Sequence, residues 1–269
     1  MMPYDEGQGE KAMQHYRAIW ISDVHLGFRG CQAERLRDFL ANSHSPVLYL
    51  VGDIVDLWAM RKSKYWPEQH TEVVRLLLDK AQQGTEVIYI PGNHDDAFRR
   101  QVGLTLGRVV VRLNMVHVGA DGRRFLVLHG DEYDAVVQGS PFVAFLGMRI
   151  YGMLLRLNPL VNRLRRLFGY GYWSLSAYLK HRVKNAVKFV SDYQDGMVQE
   201  ARRQGLDGVI CGHIHHAELR TVSGLVYGNC GDWVESCTAL VEHADGTMEL
   251  LHLSEQAPLS AAQPSPTVP

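Results

Sequence analysis

Residues 17–253 predict an α/β domain, and two observations carry that prediction. Apolar runs at Ala18–Ile21, Val47–Val51 and Val87–Ile90 alternate with stretches of helical periodicity, and each run ends in a polar cluster. Past residue 107 the helices drop out, and short apolar runs follow one another across turn residues. The first pattern is a βαβ alternation, which sets strands parallel with their polar loops at one sheet edge. The second is the pattern of hairpin-linked strands.

Residues 1–16 read as a flexible leader, charged at Asp5, Glu6, Glu10 and Lys11 and lacking the apolar core of a signal peptide. Ala33, Leu36, Phe39 and Leu40 have helical spacing over 33–41. A second helix over 68–83 puts Val73, Val74, Leu77 and Leu78 on one face and stops at Gly84. Val109–Val111, Met115–Val118 and Phe125–Leu128 read as successive hairpin strands, divided by Asn114 and by Asp121-Gly122. A helix near 193–204 precedes the strand Gly208–Cys211, and short strands near 218–228, 237–242 and 247–253 complete the domain. Residues 254–269, rich in Pro, Ala and Ser, read as a disordered tail.

With 269 residues and 46% hydrophobic content the chain can bury one core and an appended subdomain. A net charge of -1 gives no global nucleic-acid signature. Cys31, Cys211, Cys230 and Cys237 form no CxxC pair, which favours unpaired thiols in a reducing compartment. No apolar run reaches membrane-span length. A cytoplasmic location is expected.

The chemistry sits at the ends of the apolar runs. Asp23-Val24-His25, Gly52-Asp53, Gly92-Asn93-His94-Asp95, His129-Gly130-Asp131 and Gly212-His213-Ile214-His215 each follow one. Singly, such clusters are more often turns or helix caps. Five of them in order bring together Asp23, His25, Asp53, Asn93, His129, His213 and His215, a donor set suited to two hard or borderline cations. Asn93 offers a neutral oxygen, and His94 an acid or base beside it. Asp56 and Asp131 read equally well as supports for ligand imidazoles and as loop caps. The remaining histidines read as surface or satisfied polar residues.

In this order the blocks Asp-x-His, Gly-Asp-x-x-Asp, Gly-Asn-His-Asp, His-Gly-Asp and Gly-His-x-His resemble the calcineurin-like metallophosphoesterase superfamily over residues 18–215. The resemblance implies a four-layer α/β/β/α sandwich of two mixed sheets. It assigns Asp23, His25 and His215 to one metal, Asn93, His129 and His213 to a second, and Asp53 to both as a bridge. It makes His94 the acid near the leaving group, oriented by Asp95. The implied cofactor is a pair of divalent ions, Mn²⁺ first, with Fe or Zn compatible with the same donors.

Residues 139–192 form an insertion of different composition. Between Asp134 and Asp192 there is no Asp or Glu, against nine Lys and Arg. Phe142–Leu155 is nearly all apolar, and Leu175, Leu179, Val183, Val187 and Val190 form one helical stripe beside Lys180, Lys184 and Lys188. Such a helical cap suits an anionic lipid or a membrane face, and suits nucleic acid less well because its first helix is so apolar. Within the superfamily the arrangement is most similar to bacterial UDP-2,3-diacylglucosamine hydrolases and their relatives, through the insertion, His129–Asp134 and Gly231–Glu235. That implies cleavage of a lipid-linked nucleotide pyrophosphate to UMP and a lipid phosphate in lipid A synthesis, at the inner face of the cytoplasmic membrane. One departure stands out: those hydrolases carry Arg after the ligand Asn, where this chain has His94. A soluble nucleotide or nucleic-acid phosphodiesterase is the alternative within enzymes, and a non-catalytic scaffold the alternative outside them.

Overall fold

The structure, a computed structural model, describes residues 13–136 and 175–253, with backbone alone at 106, 134–136 and 175–188. In chain order come β1 (Gln14–His15), β2 (Ala18–Ile21), α1 (Ala33–Ala41), β3 (Ser43–His44) and β4 (Val47–Val51). Then follow α2 (Leu57–Lys62), α3 (Glu68–Gln82), β5 (Glu86–Ile90), β6 (Thr105–Leu106), β7 (Val109–Val111), β8 (Asn114–Val118) and β9 (Arg124–Leu128). The second part holds α4 (Leu175–Arg203), β10 (Gly208–Cys211), β11 (Glu218–Val222), β12 (Leu225–Asn229), β13 (Thr238–Glu242) and β14 (Met248–His252).

Two mixed sheets stack face to face. One runs β14-β13-β2-β4-β5-β7-β6 and the other β11-β12-β10-β9-β8. β2, β4 and β5 are parallel, as the helical crossovers between them require. Each strand residue points to the face opposite its neighbour's, so a strand buried on both faces must be apolar throughout. Thus Trp20 of β2 faces the space between the sheets, with Tyr49, Ile88, Phe125, Val127 and Ile210. Ile19 and Ile21 face outward, onto Leu36 and Leu40 of α1 and Val73 and Leu77 of α3. On the far side Leu126, Leu128 and Val209 meet Phe189, Tyr193 and Met197 of α4. The layers are therefore α/β/β/α. Each such large side chain contributes about 1.5–3 kcal/mol when fully buried.

Three expectations need correction. Residues 14–16 are not part of a loose leader: β1 pairs with β3, and Tyr16 is buried. β7 and β8 are not a hairpin, because β7 pairs in parallel with β5 while β8 joins β9 in the other sheet. Arg112 N–H continues the β5 ladder by donating to Tyr89 O, and Asn114, the expected divider, is the first residue of β8, so the chain changes sheets across Arg112-Leu113. The helix expected near 193–204 begins at Leu175, so the end of the insertion and the core helix are one element. Of the expected stripe, Val190 packs partly on the core. Phe142–Leu155 and residues 254–269 lie outside the described residues, as does most of the insertion. Among the described residues no helix is long and apolar enough to cross a membrane.

Candidate metal centre

The carboxyl ends of β2, β4, β5, β9 and β10 converge on one edge of the sandwich, and their loops bring six of the seven candidate ligands into close clusters, with Asn93 beside His94, whose backbone N–H donates to Asp53. Oxygen and nitrogen atoms of Asp23, His25 and His215 lie within 4.8 Å of one another, as do those of Asp53, His129 and His213. Asp53 also groups with His25 and His94 at that range, which puts its carboxylate between the two clusters. His25 Nε2 and His215 Nε2 are only 3.3 Å apart.

The backbone is bent to achieve this. Asp23, His25, Asp53, His213 and His215 all have φ between 51° and 71°. Left-handed backbone costs a non-glycine residue about 1–2 kcal/mol, and such strain clusters where function requires it. Strand-like bonds across the loops offset it: Asp23 N–H donates to Gly52 O at 3.0 Å and His25 N–H to Asp53 O at 2.9 Å. At Gly92 the limit is space, since a Cβ would sit 2.2 Å from Asp53 Oδ1 and 2.6 Å from His129 Nε2.

The donor atoms are held ready for cations. His129 Nδ1 lies 2.9 Å from Val51 O, which fixes the proton there and leaves Nε2 with its lone pair facing Asp53. Asp23 Oδ1, Asn93 Oδ1, His94 Nδ1 and His129 Nε2 are among the side-chain atoms of the described residues that are buried without a hydrogen bond. Asp23 Oδ1 stands 3.2 Å from His215 Nε2, and His129 Nε2 stands 3.5 Å from Asp53 Oδ2, neither in hydrogen-bonding geometry. Polar atoms buried in this way cost free energy unless something binds them. Divalent cations fit this donor set. Protonation gives the same reading. Burial opposes a charge on His129, yet Asp53 and Asp23 push its pKa up to about 10. Burial likewise disfavours ionised Asp53, but His129 holds it well below the usual carboxylate range. Both shifts have the direction expected where clustered carboxylates favour nearby positive charge.

His94 is placed by neighbours other than those expected. Asp95 does not face it. Its carboxylate accepts hydrogen bonds from the backbone N–H of Gly92 at 2.6 Å and Ile54 at 2.8 Å, and from Tyr89 Oη at 2.5 Å. Asp95 thus stitches the Asp53 and Asn93 loops together. The carboxylate beside His94 is Asp56, with Oδ1 3.1 Å from His94 Nδ1 and Oδ2 3.3 Å from His25 Nδ1. Burial opposes a charge on His94, but the Asp56 contact raises its pKa above the ordinary imidazole value. Asp56 also caps α2 by accepting from Ala59 N–H at 2.7 Å, so both readings of this residue hold at once. Asp131 has a partner that neither of its two readings named: both its oxygens lie 2.7 Å from Arg99 Nη2. That pair ties the Asn93 loop to the His129 loop.

The sequence reading missed Trp58, whose ring lies 4.4 Å from that of His94, and Tyr193, whose hydroxyl lies 3.3 Å from both His129 O and Gly212 O. Trp58 follows Asp56 by two residues and is the second residue of α2, a six-residue helix too short for periodicity to reveal.

A profile described as calcineurin-like phosphoesterase matches residues 16–217. The chain belongs to this family. Members use a dinuclear metal site, and the calcineurin-like chain described here is accordingly a metal-dependent phosphoester hydrolase. It is 26% identical over 250 residues to UDP-2,3-diacylglucosamine hydrolase of Xanthomonas oryzae, covering 85% of this chain and 96% of that one. The protein of that name from Neisseria meningitidis serogroup B is 26% identical over 241 residues, with 80% and 89% covered. Among solved structures it is similar to the phosphoesterase Yfce from E. coli, at 15% identity and a TM-score of 0.46, with 89% and 94% covered.

Proposed function

We propose that the protein cleaves the pyrophosphate bond of an amphiphilic nucleotide, UDP-2,3-diacylglucosamine or a close analogue, releasing UMP and a lipid phosphate. The observation that carries the hydrolytic half is the meeting of Asp23, His25, Asp53, His129, His213 and His215 from four loops in clusters that share Asp53, with Asn93 Oδ1 buried without a hydrogen bond on a fifth. In this reading Asp23, His25 and His215 hold one cation, Asn93, His129 and His213 the other, and Asp53 both. Mn²⁺ is the first choice, and Fe or Zn suit the same donors. Bound there, two divalent cations would supply Lewis acidity and a water acidified into the neutral range.

The chain's own residues do the rest. His94, held by Asp56 and covered by Trp58, presents its Nε2 to the leaving oxygen and carries the positive charge or proton that this oxygen needs. Asp95 fixes the backbone from which Asp53 and Asn93 project. His94 N–H donates to Asp53 Oδ1 at 2.8 Å, so the acid and the bridging carboxylate are positioned together. No side-chain nucleophile is required, and no covalent enzyme intermediate is expected.

The substrate half is supported by the names of the relatives and by the acid-free, basic and apolar insertion over 139–192, which suits acyl chains and the inner face of the cytoplasmic membrane. One observation favours a second reading, hydrolysis of a simple phosphodiester. A phosphate leaving group needs its charge neutralised, which an Arg would do, whereas an alkoxide needs the proton that His94 can give.

The test is single-turnover hydrolysis of UDP-2,3-diacylglucosamine by Mn²⁺-loaded protein, beside an alkyl and an aryl phosphodiester, with products identified by mass. UMP release from the lipid supports the first reading. Diester cleavage with the lipid untouched keeps the centre and replaces the substrate.

A further inference from the structure

Beyond Trp58, which covers His94, the stretch that forms and follows α2 is not used by the hydrolytic machinery. Residues 57–66, Leu-Trp-Ala-Met-Arg-Lys-Ser-Lys-Tyr-Trp, interleave cations with aromatics and contain no acid. Trp58 is 45% exposed, Trp66 37% and neighbouring Phe28 41%, whereas Trp20 and Trp233 are fully buried. Arg29, Arg61, Lys62 and Lys64 are exposed too. The stretch is anchored, not loose. Arg29 lies 4.4 Å over the Tyr65 ring, and Tyr65 and Trp66 both stand edge-on to the buried His70. His70 Nδ1 accepts from Gly27 N–H at 2.9 Å, which ties this surface to the loop carrying His25. The flanking acids do not neutralise it: Asp56 is turned inward, and exposed Glu68 pairs with Arg75.

We infer that this stretch docks on an anionic lipid surface. Exposed indole rings sit at headgroup depth, and long cationic side chains reach past them to lipid phosphates. The charge is complementary to such a surface and not to a neutral one. A nucleic-acid strand would call for cations continued along a track, whereas these four are Arg29, which lies over Tyr65, and three cations within one four-residue stretch. The inference rests on the proposed amphiphilic substrate for its purpose: docking here would hold Trp58, and with it the adjoining His94, close to the bilayer where that substrate resides. It places a membrane contact in the described core, apart from the insertion.

The test uses full-length protein and vesicles of phosphatidylcholine with phosphatidylglycerol. In an Arg61→Glu/Lys62→Glu/Lys64→Glu variant, binding should fall on the order of a hundredfold, since each cation near an anionic surface contributes about fivefold. In a Trp173→Phe background, brominated lipid should still quench tryptophan emission, because Trp58 and Trp66 are the exposed indoles that remain. Vesicle binding undiminished by the triple substitution would overturn the inference and assign binding to residues 137–174. Failure of the parent to bind vesicles, or tighter binding to a single-stranded oligonucleotide, would overturn it as well. Metal-dependent hydrolysis of a soluble aryl diester should be equal in parent and triple variant. Its absence from the parent would count against the proposed function, whatever the vesicles show.

Discussion

Replacing Asp53 with alanine is expected to lower turnover by at least about 10³-fold, because in the proposed centre its carboxylate would hold both cations and contribute several kcal/mol through them. Asparagine is the informative companion. It keeps the volume and the acceptor for His94 N–H but removes the charge that balances His129. If Asp53 only scaffolds the loop, Asp53→Asn should retain activity. If it binds both cations, Asp53→Asn should fail nearly as badly as alanine, and bound metal measured by mass spectrometry should fall in both variants. Full activity in Asp53→Ala would remove the basis of the proposed centre.

His94→Ala should cost roughly 10²–10⁴-fold on an alkyl phosphodiester, the range for a positioned general acid. On a p-nitrophenyl ester the loss should be far smaller, because that leaving group departs without a proton. This dependence on the leaving group separates acid catalysis from a structural role, which would depress both substrates alike. Asp56→Asn should give an intermediate loss of about 10–100-fold, as carboxylates that orient catalytic imidazoles do. His94→Arg adds a direct comparison. If the natural substrate is a pyrophosphate, arginine should substitute well there and poorly on the alkyl diester. An equal loss on aryl and alkyl substrates in His94→Ala would remove His94 as the acid.

The candidate residues were legible because each lies immediately after an apolar run, and a parallel sheet delivers every such end to the same edge. What the sequence concealed is non-local. Asp95 follows His94 directly, yet its carboxylate turns back to Gly92 and across to the Asp53 loop, while Asp56, thirty-eight residues earlier, takes the imidazole. Neither choice has a periodic signature. The same holds for Arg99 and Asp131, joined across two loops, and for Tyr193, which ends up under the His129 and Gly212 carbonyls because α4 crosses the second sheet there. The change of sheet between β7 and β8 is illegible for another reason. Arg112-Leu113 between two apolar runs suits a hairpin as well as a crossing, and the choice is made by pairing with β5, which is distant in sequence. The backbone adds a signal that the sequence lacks. Five of the seven candidate ligands occupy left-handed φ, strain of the kind that clusters at functional sites.

The most direct measurement is crystallographic: anomalous scattering at the manganese edge from Mn²⁺-loaded protein. Two peaks about 3.5–4 Å apart are predicted, one among Asp23, His25 and His215, the other among Asn93, His129 and His213, with Asp53 between them. A single peak, or peaks away from Asp53, would contradict the two-cation centre on which the proposed mechanism depends.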